Sequence, residues 1–152
     1  MNLLDLQQSQ YILIEKVKYK VLNMVKFTEK SSYWIEYKLQ NIEDNQIYYL
    51  NVELSLLATL YKVLNEKNIQ IGLNLTFDGE EYEIFEKGVG KIETYYGLTD
   101  VGLKDMVDYY EYKCKTDDKK ILSIEKWKDE IEVSIGKVIK SSKIKILKEF
   151  EQ

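Results

Sequence analysis

The sequence predicts a mainly β chain, an antiparallel β-sandwich or a partly open β-barrel of about ten short strands. Three observations carry that expectation. Apolar and polar residues alternate with period two along most of the chain, as half-buried strands require. Tyr, Ile and Val, which fit a pleated surface, dominate those stretches. Short polar or glycine-bearing turns separate them, and no proline interrupts them.

The first strands read as a meander of hairpins. From Tyr19 to Phe27 one face carries Tyr19, Val21, Val25 and Phe27. From Tyr33 to Leu39, Tyr33, Ile35, Tyr37 and Leu39 alternate with Trp34, Glu36 and Lys38. A polar turn over 41–46 leads into a strand over 47–52. Residues 54–64 fit two patterns: Leu54, Leu57, Tyr61 and Leu64 recur at helical spacing, whereas Leu56, Ala58, Leu60 and Lys62 alternate as in a strand.

The second half repeats the style. Asp78-Gly79 marks a tight hairpin, because glycine adopts positive φ without steric cost. Strands are expected at 70–77 and 81–85 on either side of it. Gly88 and Gly90 read as a bulge or a tight crossing. Further strands are expected at 91–96, 107–115, 120–127, 130–135 and 143–147, with a loop over 97–102 and a charged turn over 116–119. Residues 1–152 form one domain on this reading, since the length fits the usual range and no linker divides the chain.

Composition excludes several chemistries. The chain has no histidine and a single cysteine, Cys114, so serine–histidine and cysteine–histidine catalysis and histidine-bound metals are ruled out. No cofactor is expected. Gly88-x-Gly90 lacks the third glycine of a dinucleotide fingerprint. Asp100, Asp105 and Asp108 cluster without the spacing of a calcium-binding loop. All 22 basic residues are lysine and the net charge is −4, which removes the arginine fork and the general attraction that nucleic acid calls for. No stretch approaches the roughly 18 apolar residues of a membrane span. With no signal peptide evident and a lone cysteine, a cytoplasmic location is expected. The alternating Lys143-Ile144-Lys145-Ile146 leaves room for weak contact with a membrane surface or an acidic partner.

Two features point towards function. Most of the 13 tyrosines and two tryptophans are expected in the core or in cross-strand pairs. The doublets Tyr48-Tyr49, Tyr95-Tyr96 and Tyr109-Tyr110, however, send one ring to each face of a strand, and exposed rings of this kind anchor binding surfaces. Trp34-x-Glu36-Tyr37 and Glu125-x-Trp127 place carboxylates beside aromatic rings, where desolvation raises a carboxyl pKa.

The ordered features Trp34-Ile35-Glu36-Tyr37, Tyr49-Leu50-x-Val52-Glu53 and Asp78-Gly79-x-x-Tyr82 resemble a bacterial family called domain of unknown function 4178. Gly88-x-Gly90, the Tyr109/Tyr112 segment, Leu122-Ser123-Ile124-Glu125-x-Trp127 and Glu132…Gly136 extend the similarity over about residues 10–147. The resemblance implies a compact β fold and a strand over 54–64. It implies no established enzymatic activity. Members of the family are often encoded near envelope-stress or membrane-associated proteins, which implies an accessory role in such a system.

The leading expectation is therefore a binding or assembly module, not an enzyme, that meets a protein partner or a second copy of itself. Its candidate contacts are Trp34, Glu36, Tyr37, Glu53, Tyr109, Glu125 and Trp127. A carboxylate-dependent hydrolase is the first alternative; it requires a concave pocket that gathers two acids. A small-ligand carrier with a cavity inside the barrel is the second.

Overall fold

Tight turns organise the chain locally. In the computed structural model, which describes residues 2–66, 68–97, 105–128 and 130–147, Tyr11–Ile14 (β1) and Val17–Glu29 (β2) are joined by Glu15 and Lys16. Both residues have positive φ, 49° and 73°, the backbone that matches the natural twist of a two-residue hairpin. Ser32–Asn41 (β3), Ile47–Glu53 (β4) and Ala58–Leu64 (β5) continue the meander. Asn74–Phe77 (β6) and Glu80–Tyr96 (β7) flank Asp78-Gly79, whose φ angles are 50° and 78°, as the sequence signal requires. Met106–Cys114 (β8), Asp117–Trp127 (β9), Glu130–Ile139 (β10) and Ile144–Ile146 (β11) complete the strands. A 3-10 turn at Ser141–Lys143 precedes the last of them. Among the described residues no helix is long and apolar enough to cross a membrane.

All these strands belong to one antiparallel sheet, in the order β11-β1-β2-β3-β4-β5-β10-β9-β8-β7-β6. The sheet closes on itself, because the end of β7 also pairs with β2, from Met24↔Tyr96 to Thr28↔Lys91. Eight strands, β2-β3-β4-β5-β10-β9-β8-β7, thus form a closed barrel, with β1, β11 and β6 attached outside it. Two parts of the expectation are corrected by this. The chain is neither a sandwich nor partly open, and its strands are not uniformly short: β2 has 13 residues and β7 has 17.

Closure explains the length of β7. One strand pairs with β6 at its start, with β8 along most of its course and with β2 at its end. The segments expected separately at 81–85 and 91–96 are therefore one strand running through Gly88 and Gly90, with a register shift nearer Phe85. The strand expected over 70–77 is confined to β6, and β1 had no expected counterpart. Residues 54–64 resolve into a turn, in which Leu56 has φ 66°, followed by the strand β5. Most of the loop expected over 97–102 lies outside the described residues, as does Asp100.

The two faces of the wall have opposite character. One carries two apolar clusters on the outside. Ile35, Tyr37, Leu39, Leu50 and Val52 are covered by Leu3, Leu6, Ile12 and Ile144. Tyr82, Tyr112, Leu122, Ile124 and Val133 are covered by Leu75, with Ile69 and Phe77 beside it. Residues between these, one step along each strand, face the lumen. The lumen-facing set touches across strands that are not sheet neighbours: the Trp34 ring on β3 meets Tyr109 on β8.

Candidate functional site: the barrel lumen

One end of the lumen is plugged by apolar and aromatic side chains. Phe27 and Trp34 stack with centroids 5.3 Å apart and planes 12° from parallel. Trp127 approaches Phe27 at 6.1 Å, and Tyr109 meets Trp34 edge-on at 5.4 Å. Val25, Ile92 and Val107 fill the gaps. Glycine makes this plug possible. A Cβ at Gly90 would fall 2.7 Å from the Trp34 ring, and one at Gly88 would fall 2.2 Å from Glu29 and 2.7 Å from the Tyr109 hydroxyl. The tight crossing expected at these glycines is thus the approach of Trp34, Tyr109 and Glu29 to β7. The Tyr109 hydroxyl donates to Glu29 Oε1, while Val89 N–H donates to Glu29 Oε2 at 3.0 Å.

Above the plug the lumen opens into a cavity of about 630 Å3. Trp34, Glu36, Asn51, Tyr61, Glu111, Ser123, Glu125, Glu132 and Ser134 line it. Cross-strand register brings these residues together: Glu36 pairs with Asn51 and Asn51 with Thr59, Ser134 with Ser123 and Ser123 with Glu111, and Glu125 with both Glu132 and Tyr109. Directly paired residues share a face. Tyr61 reaches over from β5, and its hydroxyl lies 3.4 Å from Glu111 Oε1 on β8. Gly136 clears its path, since a Cβ there would sit 2.5 Å from the Tyr61 ring. A shallower depression of about 570 Å3 adjoins the lumen, shares Tyr49 and Glu132 with it and carries Lys38 and Lys62; Lys62 Nζ donates to Gln46 at 2.7 Å.

Crowding of acids governs the electrostatics. Desolvation pushes the Glu36 carboxyl well above the ordinary range, and repulsion from Glu125, Glu132 and Glu111 pushes it further. Glu111 is raised to about 8, chiefly by burial, with Glu125 and Glu86 adding repulsion and hydrogen bonds from Ser123 and Tyr61 opposing it. Glu125 is raised to about 7 by burial and by Glu132, against a hydrogen bond from Trp127 Nε1 at 3.2 Å. Burial also raises Glu53, with Glu86 adding to it. Tyr61 is held well above its usual value by burial and by these carboxylates. The lumen therefore holds acids that take up and release protons near neutral pH, a setting suited to binding donor-rich guests or to proton exchange. Among the described residues no group of three or more acidic or cysteine side chains is arranged to hold a metal ion.

Of the seven sequence candidates, Trp34, Glu36, Glu53, Tyr109 and Glu125 line this one cavity, and Trp127 joins it through Glu125. Tyr37 does not. It is fully buried on the opposite face of β3, where its hydroxyl donates to Leu3 O at 2.7 Å and accepts from Leu6 N at 3.1 Å. Sequence reasoning missed Asn51, Tyr61, Glu111 and Ser134. Each sits in an alternating strand, and nothing in period-two alternation distinguishes an acid facing a lumen from one facing water. Cys114 is buried and donates to Glu80 Oε2 at 3.2 Å, away from the lumen.

Fold and site together define an all-β closed barrel with an acidic, aromatic lumen. The chain belongs to the family described as a domain of unknown function (DUF4178), whose model matches residues 4–141. No curated protein and no solved structure matches it.

Proposed function

We propose that this protein is a small-ligand binding barrel that holds one guest in its lumen. The observation that carries the proposal is the cavity of about 630 Å3 enclosed by the eight closed strands. Barrels of this strand number are just wide enough either to fill with side chains or to hold one small molecule. Here only the end around Trp34 and Phe27 is filled. The volume falls in the range of ligand sites, roughly 300–1,000 Å3. Six of the seven candidate contacts lie in or beside the lumen, which favours a guest inside the barrel over a partner on its wall. Leu54 and Leu57, 45% exposed at the cavity mouth, support a further role in association with another protein, the accessory function that the family resemblance implies. Native mass spectrometry of protein purified from its host tests the reading. A retained molecule is expected on the wild type and lost from Asn51→Trp, which fills the lumen; a bare wild-type mass under gentle desolvation counts against it.

A second reading is favoured by Glu125 and Glu111, whose carboxyls are raised to about 7 and about 8. A carboxyl protonated near neutrality is the general acid of a carboxylate-dependent hydrolase. Turnover of chromogenic glycosides, abolished by Glu125→Gln, would establish that activity. No turnover with the lumen demonstrably accessible would remove it.

A further inference from the structure

The geometry points to an organic cation as the guest, an amine or ammonium compound held among Glu36, Glu111 and Glu125 beside the Trp34 ring. This inference rests on the lumen being the binding site and specifies its ligand class.

The balance of charge comes first. Eight residues that line the cavity are acidic, against two lysines, Lys113 and Lys119. Both lysines are exposed, and Lys113 Nζ is engaged over the Phe85 ring, 4.7 Å from its centroid. The deep carboxylates come from β3, β8 and β9, and the lysines that line this cavity, Lys113 and Lys119, are exposed, while Lys38 lines the adjoining depression with Glu132. A positive guest gains from each carboxylate it meets and favours its ionised form, whereas a neutral guest gains nothing from that ionisation and an anion is repelled by it.

The supply of hydrogen-bond donors is an independent observation. Two acceptors in the lumen wall, Asn51 Oδ1 and Glu111 Oε2, are buried and have no hydrogen-bond partner among the described residues. Buried acceptors are ordinarily satisfied. Asn51 Oδ1 lacks a donor, as does Glu111 Oε2 once Glu111 is ionised, and an ammonium group carries donors and no acceptor. Both oxygens belong to residues on the cavity lining, one in the Glu36–Asn51 pair and the other in the Glu111–Ser123 pair.

Shape selects the kind of cation. The acids are distributed around the wall without converging as ligands of a metal ion among the described residues. Trp34, Tyr49 and Tyr109 share the same cavity, and aromatic faces attract organic cations through their ring quadrupoles. Dispersed carboxylates with aromatic walls suit an extended amine better than a compact inorganic ion.

Titration calorimetry of the intact protein at low salt and about pH 9, where Glu111 and Glu125 are largely ionised and alkylamines remain cationic, tests the inference, with 1,4-diaminobutane and butylammonium as cationic probes and 1,4-butanediol as their neutral counterpart. The cations are expected to bind at least about tenfold more tightly than the diol. Glu111→Gln is expected to weaken them by at least about tenfold, with quenching or enhancement of Trp fluorescence on binding to the wild type. Should Glu111→Gln not fold, Glu125→Gln carries the same expectation. Diamine affinity unchanged in these variants places the binding on the outer surface and overturns the inference. Equal or tighter binding of the diol, or a neutral or anionic molecule retained from the host, overturns the cation while leaving the lumen as a binding site. A lumen that takes neither the probes nor any retained molecule removes both readings.

Discussion

The Tyr61 hydroxyl lies 3.4 Å from Glu111 Oε1, across the barrel from β5 to β8, with β10 and β9 between them in the sheet. That contact spans the lumen, and it acts on the charge there. The bond favours the ionised form of Glu111 against the burial that opposes it. Tyr61→Phe should therefore raise the Glu111 pKa further above about 8. Carboxyl carbon shifts followed by NMR from pH 5 to 10 measure it, and an unmoved or lowered midpoint refutes the contact's role.

Stability should fall as the solution becomes alkaline. Glu36, Glu111 and Glu125 all have folded-state values above those of an unfolded chain. The folded protein then binds more protons than the unfolded one, so this contribution is fully present below the unfolded carboxyl pKa. It is lost as pH rises through about 7 for Glu125 and about 8 for Glu111. For Glu111 alone the loss between pH 6 and 9 is about 1–2 kcal/mol, allowing for solvent at the cavity mouth. Urea denaturation across that window checks the slope. Glu111→Gln should flatten it, and a midpoint that rises with pH contradicts the buried acid cluster.

Gly90 and Trp34 should behave as a coupled pair. A methyl at Gly90 would press on the Trp34 ring at 2.7 Å, and the ring is held on its other sides by Phe27 and Tyr109. Gly90→Ala should cost about 1–3 kcal/mol, as overpacking of a filled interior does. Trp34→Ala should itself cost about 3 kcal/mol. In the double variant the penalties should fall short of additive by at least about 0.5 kcal/mol. Strict additivity would mean the two residues do not meet.

Tyr37→Phe should destabilise the chain by about 1–3 kcal/mol while leaving ligand binding in the lumen unchanged. Its hydroxyl ties Leu3 and Leu6 to the outer face of β3, and its loss leaves a buried carbonyl and a buried N–H without a partner. Amide exchange over residues 3–10 should quicken in the variant. Exchange that stays slow there would show that apolar contacts alone hold this segment.

Much of the local architecture is legible in the amino-acid sequence. Alternation locates β2, β3, β4, β8, β9 and β10 to within a few residues, because each strand is two-faced. Asp78-Gly79 declares its hairpin through the positive φ of both residues. The acids beside aromatic rings, Glu36 and Glu125, stand out as environments that raise a carboxyl pKa. Their partners Glu111 and Tyr61 do not, since they meet through strands 50 residues apart in sequence.

What the sequence determined by itself is the strand content and the division of each strand into two faces, because side chains alternate wherever the backbone is extended. Which face turns inward was decided only by the tertiary structure. In most sheets the apolar face lines the interior and acids meet water. Here residues 3–14 and 69–77 cover the apolar faces from outside, and the β2–β7 ladder closes the sheet with Glu36, Glu111 and Glu125 within it. Period two assigns residues to opposite sides of a strand but carries no sign. The sign comes from closure between segments some 70 residues apart, between Met24–Thr28 and Lys91–Tyr96, and no local pattern encodes a pairing at that distance.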